Sequence, residues 1–464
     1  MALPSTTEPD RPLRDDELVV PFVEVEKPRA AWRIGAEGEK FGVLADSLAP
    51  MPYEGERGVA RLMMELAARF DWRGEAEREA GPTIALKRGR ASITLEPGAQ
   101  LELSGAPLED VHLIRAELEA HLAELNSISS ELGLVWLGVG FQPFAKQSEL
   151  SWVPKERYAV MKQYLPTRGE GAHDMMRRTA TVQANLDWSS ESDALRKLGV
   201  CLRLAPLMNA LLANSPFYEG KLAGKKSVRG EVWLHMDPER SGLIDALWPK
   251  LERGTAGYRD YVEWALDAGM FLFTRHGEVI ANTGQSFRSF LANGFRGHRA
   301  TMADWKLHLN TLFPEARLKN TLEIRPCDSL PPDLFCAVPA LCAGLLYDEQ
   351  ALSEAEALAN ELSLEDVHAA RPELVRVGLE AAIGRRSARA LAERVIDIAM
   401  GGLERRGRLD SQGRDERVHL EPLKRLVEQG LTPADRLTQG LPASGEALRA
   451  AILERTRIGL REAL

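Results

Sequence analysis

The 464-residue chain predicts an α+β fold, a sheet of short strands decorated with helices and followed by a helical C-terminal region. Two features carry this. Over roughly the first three quarters of the chain, short runs of alternating or β-branched residues interleave with amphipathic stretches at helical spacing. From about Pro339 to Leu464 the composition turns rich in Ala, Leu, Glu and Arg and reads as helix almost throughout. Length alone suggests about two or three domains. However, no stretch has linker composition, and there is no internal repeat or low-complexity tract. One mixed domain over 15–348 is therefore expected, with a flexible segment over 1–14 and a helical region over 349–464 packed on the same domain.

Taken in order, Trp32 to Phe41 reads as a strand and Arg57 to Phe70 (RGVARLMMELAARF) as an amphipathic helix. Thr83 to Leu103 reads as two or three short strands joined by Gly89 and by Pro97-Gly98. Leu108 to Leu132 is a long helix and Val135 to Phe141 the next strand. Thr179 to Leu186 (TATVQANL) alternates β-branched and polar residues, and a helix follows from about Asp193 to Leu212. Leu322 to Arg325 is a further strand.

Hydrophobic residues make up 44% and charged residues 27%, the balance of a globular enzyme with a sizeable core. A net charge of -9 argues against a general nucleic-acid binder, which needs a basic face to displace counterions. No run of about 18 apolar residues is present to span a bilayer, and Met1 to Pro12 lacks a secretory signal. A cytoplasmic protein acting on small molecules is expected, as monomer or homodimer, with neither nucleic acid nor membrane as partner. The four cysteines form no CxxC pair and read as buried free thiols. The nine histidines include no HxH or HExxH, so zinc is improbable.

Acidic residues carry the chemistry. Glu37 and Glu39 lie two apart on a predicted strand, so both carboxylates face the same way, roughly 6 to 7 Å apart, and together invite a cation. A solvated strand face is the bland alternative. Glu96 and Glu102 are evenly spaced among Leu95, Leu101 and Leu103, at the edge of a core where a carboxylate must be paired or bind metal. Arg88 and Arg90 could supply ordinary pairing. Glu323 and Arg325 share a face, which suits a site holding both a metal and a phosphoryl group, or a plain salt bridge. Five converging acids would repel one another without divalent cations, and with no His or Cys cluster the donor set favours magnesium. The usual nucleotide loops are missing. Gly220 to Ser227 (GKLAGKKS) is a near miss for the P-loop, and Gly138-Val139-Gly140 marks a tight strand end rather than a dinucleotide fingerprint.

These motifs, in this order, resemble the plant-type glutamate-cysteine ligases. The landmarks are KPRAAWRIGAEGEKFG, SITLEPGAQLELSGAPLE, LGVGFQP, DMMRRTATVQANLDWSSE, ANSPFYEGK, TLEIRPCD, GLLYD and GLERRG, and the similarity runs from about Lys27 to Gly440. The resemblance implies a glutamine synthetase-like funnel of antiparallel strands surrounded by helices. It implies Glu37, Glu39, Glu96, Glu102 and Glu323 as magnesium ligands, and Glu323 and Arg325 as catalytic, with Arg325 on phosphate. Gln183 and Asn185 would line the funnel, and Arg178 and Arg229 would hold amino-acid carboxylates. The implied reaction is ATP-driven formation of a γ-glutamyl phosphate and its capture by the amine of cysteine, the first step of glutathione biosynthesis. A related ligase using another amine, and an inactive nucleotide-binding regulator on the same fold, are the competing readings.

Three departures from the family stand out. TEHEKF is replaced by Ala36 to Phe41 (AEGEKF), at positions facing away from the two acids. A glycine-rich stretch is replaced by Pro326 to Asp333 (PCDSLPPD). The plant regulatory disulfide, between a helix cysteine and one in LCALP, has Cys336 at the second position but Arg115 at the first, so insensitivity to mild reduction is expected.

Overall fold

The computed structural model describes residues 11–78 and 81–459. Nine strands form one antiparallel sheet: β1 (Ile34–Leu44), β2 (Arg73–Ala76), β3 (Thr83–Arg88), β4 (Ala91–Leu95), β5 (Leu101–Ser104), β6 (Leu134–Leu137), β7 (Val182–Leu186), β8 (Ala316–Leu318) and β9 (Leu322–Ile324). Their spatial order is β8-β9-β7-β1-β5-β4-β3-β2, with β6 pairing the far end of β1. The 11 residues of β1 make it the sheet's axis. Its first half lies between β5 and β7, and its second half pairs with β6.

The period-2 pattern divides the sheet into two faces. Ile34, Ala36, Ile93, Leu101, Leu103, Val182, Ala184, Leu322 and Ile324 are buried on the back face. There they pack under α1 (Val59–Arg69), α2 (Val111–Leu132), α3 (Glu191–Leu211) and α4 (Ala337–Leu346) in one continuous core. Local signals set the helix ends. Asp110 accepts from Leu113 N at 2.9 Å and Gly133 closes α2 in the left-handed region (φ 63), while Ser190 caps α3.

The C-terminal helices join the same core through a close crossing of α4 with α5 (Ala388–Arg406). A methyl at Gly402 would sit 1.9 Å from Gly344 O, so only glycine lets the backbones approach. These two glycines belong to GLERRG and GLLYD, which are therefore packing motifs.

The structure shortens some expected elements. The strand expected over Val135 to Phe141 ends at Leu137, because Gly138 N turns to Thr456 O and Gly140 lies against Asp328, where a methyl would meet Cγ at 2.4 Å. The helical C-terminal region is broken by a small hairpin pairing Ala382–Ile383 with Arg386–Ser387. The expected flexible segment over 1–14 falls mainly on residues 1–10, outside the described residues. At its end Leu13 is buried and its N–H donates to Ala300 O at 2.8 Å.

Candidate active site

The front face of the sheet carries the polar set. Glu37 stands opposite Gln183 and Ser104, Glu39 opposite Glu102, Glu102 opposite Thr94, and Glu323 opposite both Asn185 and Arg317. Directly opposed residues share a face, so register alone brings these groups together. Glu96 joins them from the turn after β4, where Ala99 adopts a left-handed backbone (φ 66) and its N–H donates to Glu96 O at 3.0 Å. Glu37, Glu39, Glu96, Glu102, Glu323, Gln183, Asn185, Arg229 and Arg325 all line one cavity of about 470 Å³.

Three of the acids are held by hydrogen bonds from neighbouring strands and their own. Glu37 accepts from Asn185 Nδ2 (2.8 Å) and Gln183 Nε2 (3.3 Å), and Glu39 from Thr181 N (3.0 Å). Glu102 accepts from Ser104 Oγ (2.5 Å) and Thr94 Oγ1 (3.0 Å). Burial and the neighbouring Glu323 push the Glu37 carboxyl up to about 7. Burial, Glu96 and Glu102 raise Glu39 well above the carboxylate range, and burial with Glu102 raises Glu96. This crowded row of acids is electrostatically poised for cations.

Glu323 differs. Burial works to raise it, but Arg317, Lys319 and Arg325 hold it below its ordinary value. Its Oε2 accepts from Arg317 Nε (2.7 Å) and Arg325 Nη1 (2.9 Å), and its Oε1 from Lys319 Nζ (2.6 Å). Arg325 Nη1 also donates to Gln183 Oε1 at 2.7 Å.

Among the described residues no three carboxylate, imidazole or thiol groups stand close enough together to hold a metal ion as arranged. The donor chemistry nevertheless fits magnesium, since Glu37, Glu39, Glu96 and Glu102 offer only hard oxygens, three of them with raised pKa.

Arg178 does not belong to the cavity. It is buried between the rings of Phe141 and Tyr218, its guanidinium carbon 4.6 and 4.5 Å from their centroids, and donates to Asp174 and Tyr218 Oη. Two aromatic faces supply the stabilisation a substrate carboxylate was expected to give. The P-loop near miss is also structural: Ser227 caps the helix α6 (Val228–Leu234), and Phe217–Tyr218 pairs with Lys221–Leu222 as a hairpin.

Sequence reading missed Arg33, Arg157, Arg317 and Lys319 and offered Arg90 only as an ordinary partner of the acids; all five line the cavity. Arg317 and Lys319 had a signal, because they repeat the two-residue spacing of Glu323 and Arg325 across the Asn320-Thr321 turn. Arg157 had none. It comes from a short helix, Glu156–Tyr164, with no apolar stripe to mark it.

The sequence profile of glutamate-cysteine ligase family 2 matches residues 33–454. The chain belongs to that family. Glutamate-cysteine ligase A, chloroplastic, of Oryza sativa subsp. indica is 40% identical over 92% of this chain and 84% of its own length. The chloroplastic enzyme of Arabidopsis thaliana is 39% identical over 92% and 80%. Among solved structures, glutamate-cysteine ligase from Francisella tularensis in complex with AMP matches with a TM-score of 0.54 at 13% identity, over 92% of this chain and 87% of that one, a likeness of fold. As a family member the chain is a ligase with a glutamine synthetase-like fold. The expected cytoplasmic location is overturned by these relatives, which are named chloroplastic. No helix among the described residues is long and apolar enough to cross a membrane.

Proposed function

We propose that the chain joins the side-chain carboxylate of glutamate to the amine of cysteine, driven by ATP and dependent on magnesium. The observation that carries this is the row of carboxylates, with raised pKa at Glu37, Glu39 and Glu96, set against arginines in one cavity on this family's sheet. A carboxylate is a poor electrophile, so it first takes the γ-phosphoryl group of ATP, releasing ADP, and the amine then attacks the acyl phosphate and displaces phosphate.

The cavity is graded along the strands. Lys27, Arg33, Arg90 and Lys319 line one end, and Met161, Met175, Met176, Trp233, Phe271 and Phe313 the other. The basic end suits the ATP phosphates. The apolar end, next to Arg229, suits the small uncharged side chain of cysteine. Glu37, Glu39, Glu96 and Glu102 would hold magnesium, which supplies charge neutralisation of the transferring phosphoryl group. Arg325, fixed by Glu323 and Gln183, faces the same space and stabilises the charge that develops there. Glu323 acts chiefly by ordering three cations, since Arg317, Lys319 and Arg325 already surround and neutralise its carboxylate.

Pro326 to Asp333, which replaces a glycine-rich stretch of the family, contributes no residue to the cavity wall. The test is ADP release with glutamate and a panel of amines. Turnover with cysteine alone supports the reading, whereas turnover with another amine and none with cysteine overturns it.

A further inference from the structure

Asp328 lies behind the cavity, fully buried, and is no part of its lining. Its carboxylate ties together segments distant in sequence. Oδ2 accepts from Ser215 Oγ (2.6 Å) and Asn214 N (2.7 Å), both just beyond the end of α3, and Oδ1 accepts from Ser227 Oγ (2.9 Å). Ser227 caps α6 (Val228–Leu234) by accepting from Gly230 N at 2.8 Å, and Arg229 N donates to Ser215 Oγ at 3.2 Å. Gly140 packs on the far side of the carboxylate, where no larger residue fits.

Arg229 is the second residue of α6. Its Nη1 donates to Pro326 O (2.9 Å) and its Nη2 to Arg325 O (2.8 Å), the carbonyls two and three residues before Asp328. The same Nη1 forms an ion pair with Asp328 Oδ1 at 3.9 Å. One carboxylate thus fastens the start of the helix that carries Arg229 and the segment whose carbonyls grip the guanidinium. It also balances the arginine's charge in a place where an uncompensated ion would be costly. Fixing a binding group through its supporting hydrogen bonds is how sites gain their geometry.

We propose that Asp328 is a positioning residue that sets the aim of the Arg229 guanidinium into the cavity. This rests on the reading that Arg229 holds an amino-acid substrate's carboxylate. Asp328→Asn keeps the side chain's shape and removes its charge. Steady-state kinetics should separate KM for glutamate, cysteine and ATP in Asp328→Asn, Arg229→Lys and the double variant, with thermal midpoints alongside. Arg229→Lys should raise KM for one amino acid, about tenfold for one lost charge-assisted contact. Asp328→Asn should raise KM for that same amino acid and leave KM for ATP unchanged, and the double variant should be no worse than Arg229→Lys. A purely structural junction would lower the thermal midpoint without this selective KM change, or would add its effect to that of Arg229→Lys; either result overturns the proposal. Unchanged KM values in Arg229→Lys would instead remove the reading of Arg229, and the proposal with it. If Asp328→Asn does not fold, Ser215→Ala removes one hydrogen bond to the same carboxylate and carries the same comparison.

Discussion

A methyl group at Gly38 would lie 2.4 Å from Cε2 of Phe335, far inside contact distance. Gly38 separates Glu37 from Glu39 on β1 and points to the back of the sheet, and the Phe335 ring fills the space beside it. The family pattern TEHEKF that this strand resembles has histidine at this position, and the Phe335 ring occupies the space such a side chain would need.

Gly38→Ala should consequently overpack the site and destabilise the protein by about 1–3 kcal/mol. It should also lower turnover, because both flanking acids move with the strand. Combining it with Phe335→Leu should recover part of the loss, which a double-mutant cycle on denaturant midpoints would detect. Additive losses in the cycle would show that the two positions do not share the volume.

Legibility in the sequence followed periodicity. Glu37, Glu39, Glu323 and Arg325 were readable because a two-residue spacing on a strand fixes a common face, and the register then does the rest. Gln183 and Asn185 were legible for the same reason. Arg178 and Arg229 are both buried arginines, and sequence gives no means of telling one stacked between Phe141 and Tyr218 from one facing a cavity. The two-residue spacing of Arg317 and Lys319 was readable too, but not the register that sets Arg317 opposite Glu323 in the β8–β9 hairpin. Pairing across a turn depends on the turn's geometry, which composition does not specify.

The acids should separate functionally by partner. Glu39→Gln removes a carboxylate that accepts from Thr181 N and, among the described residues, pairs with no cation, so turnover should fall by about 100-fold or more with little change in thermal midpoint. Glu323→Gln should lose turnover and stability together, since Arg317, Lys319 and Arg325 would be left crowded around a neutral amide. Kinetics and thermal melts on both variants check this. Near-normal rates in both at an unchanged midpoint would return the residues to an ordinary polar face.

Acid should weaken the fold through buried histidines. His308 lies against Phe287 and Trp305 with Nε2 2.8 Å from Ala265 O, and burial holds it down at about 3. Above about pH 6.5 it is neutral folded or unfolded and contributes nothing. Between about 6.5 and 3 the unfolded chain binds a proton the folded one refuses, so stability falls with falling pH at up to about 1.4 kcal/mol per pH unit. His121, depressed by burial and Lys40, adds to the slope. His308→Gln should flatten the dependence by up to one proton between pH 6 and 4, measured by urea unfolding at stepped pH. An unchanged slope would mean that His308 titrates normally.

Redox behaviour should differ from that of an enzyme carrying the regulatory disulfide. Cys201, Cys327, Cys336 and Cys342 are all free and buried. Burial pushes Cys201 and Cys336 up to about 12 and raises Cys327 and Cys342 further, so little thiolate exists at neutral pH to attack an oxidant or a disulfide. Where the family's helix cysteine would stand, Arg115 pairs with Glu119 and its Nη1 reaches across to Pro332 O at 2.8 Å. It lies close enough to Cys336 to work against the burial of that thiol. The contact that a disulfide would make between α2 and the segment before α4 is thus made by a hydrogen bond that no reductant breaks. Activity should be the same with and without dithiothreitol, and non-reducing denaturation should release four reactive thiols that label slowly in the folded protein. Two missing thiols, together with a change in activity on reduction, would show that a pair among the four does oxidise and that the arginine has not replaced the switch.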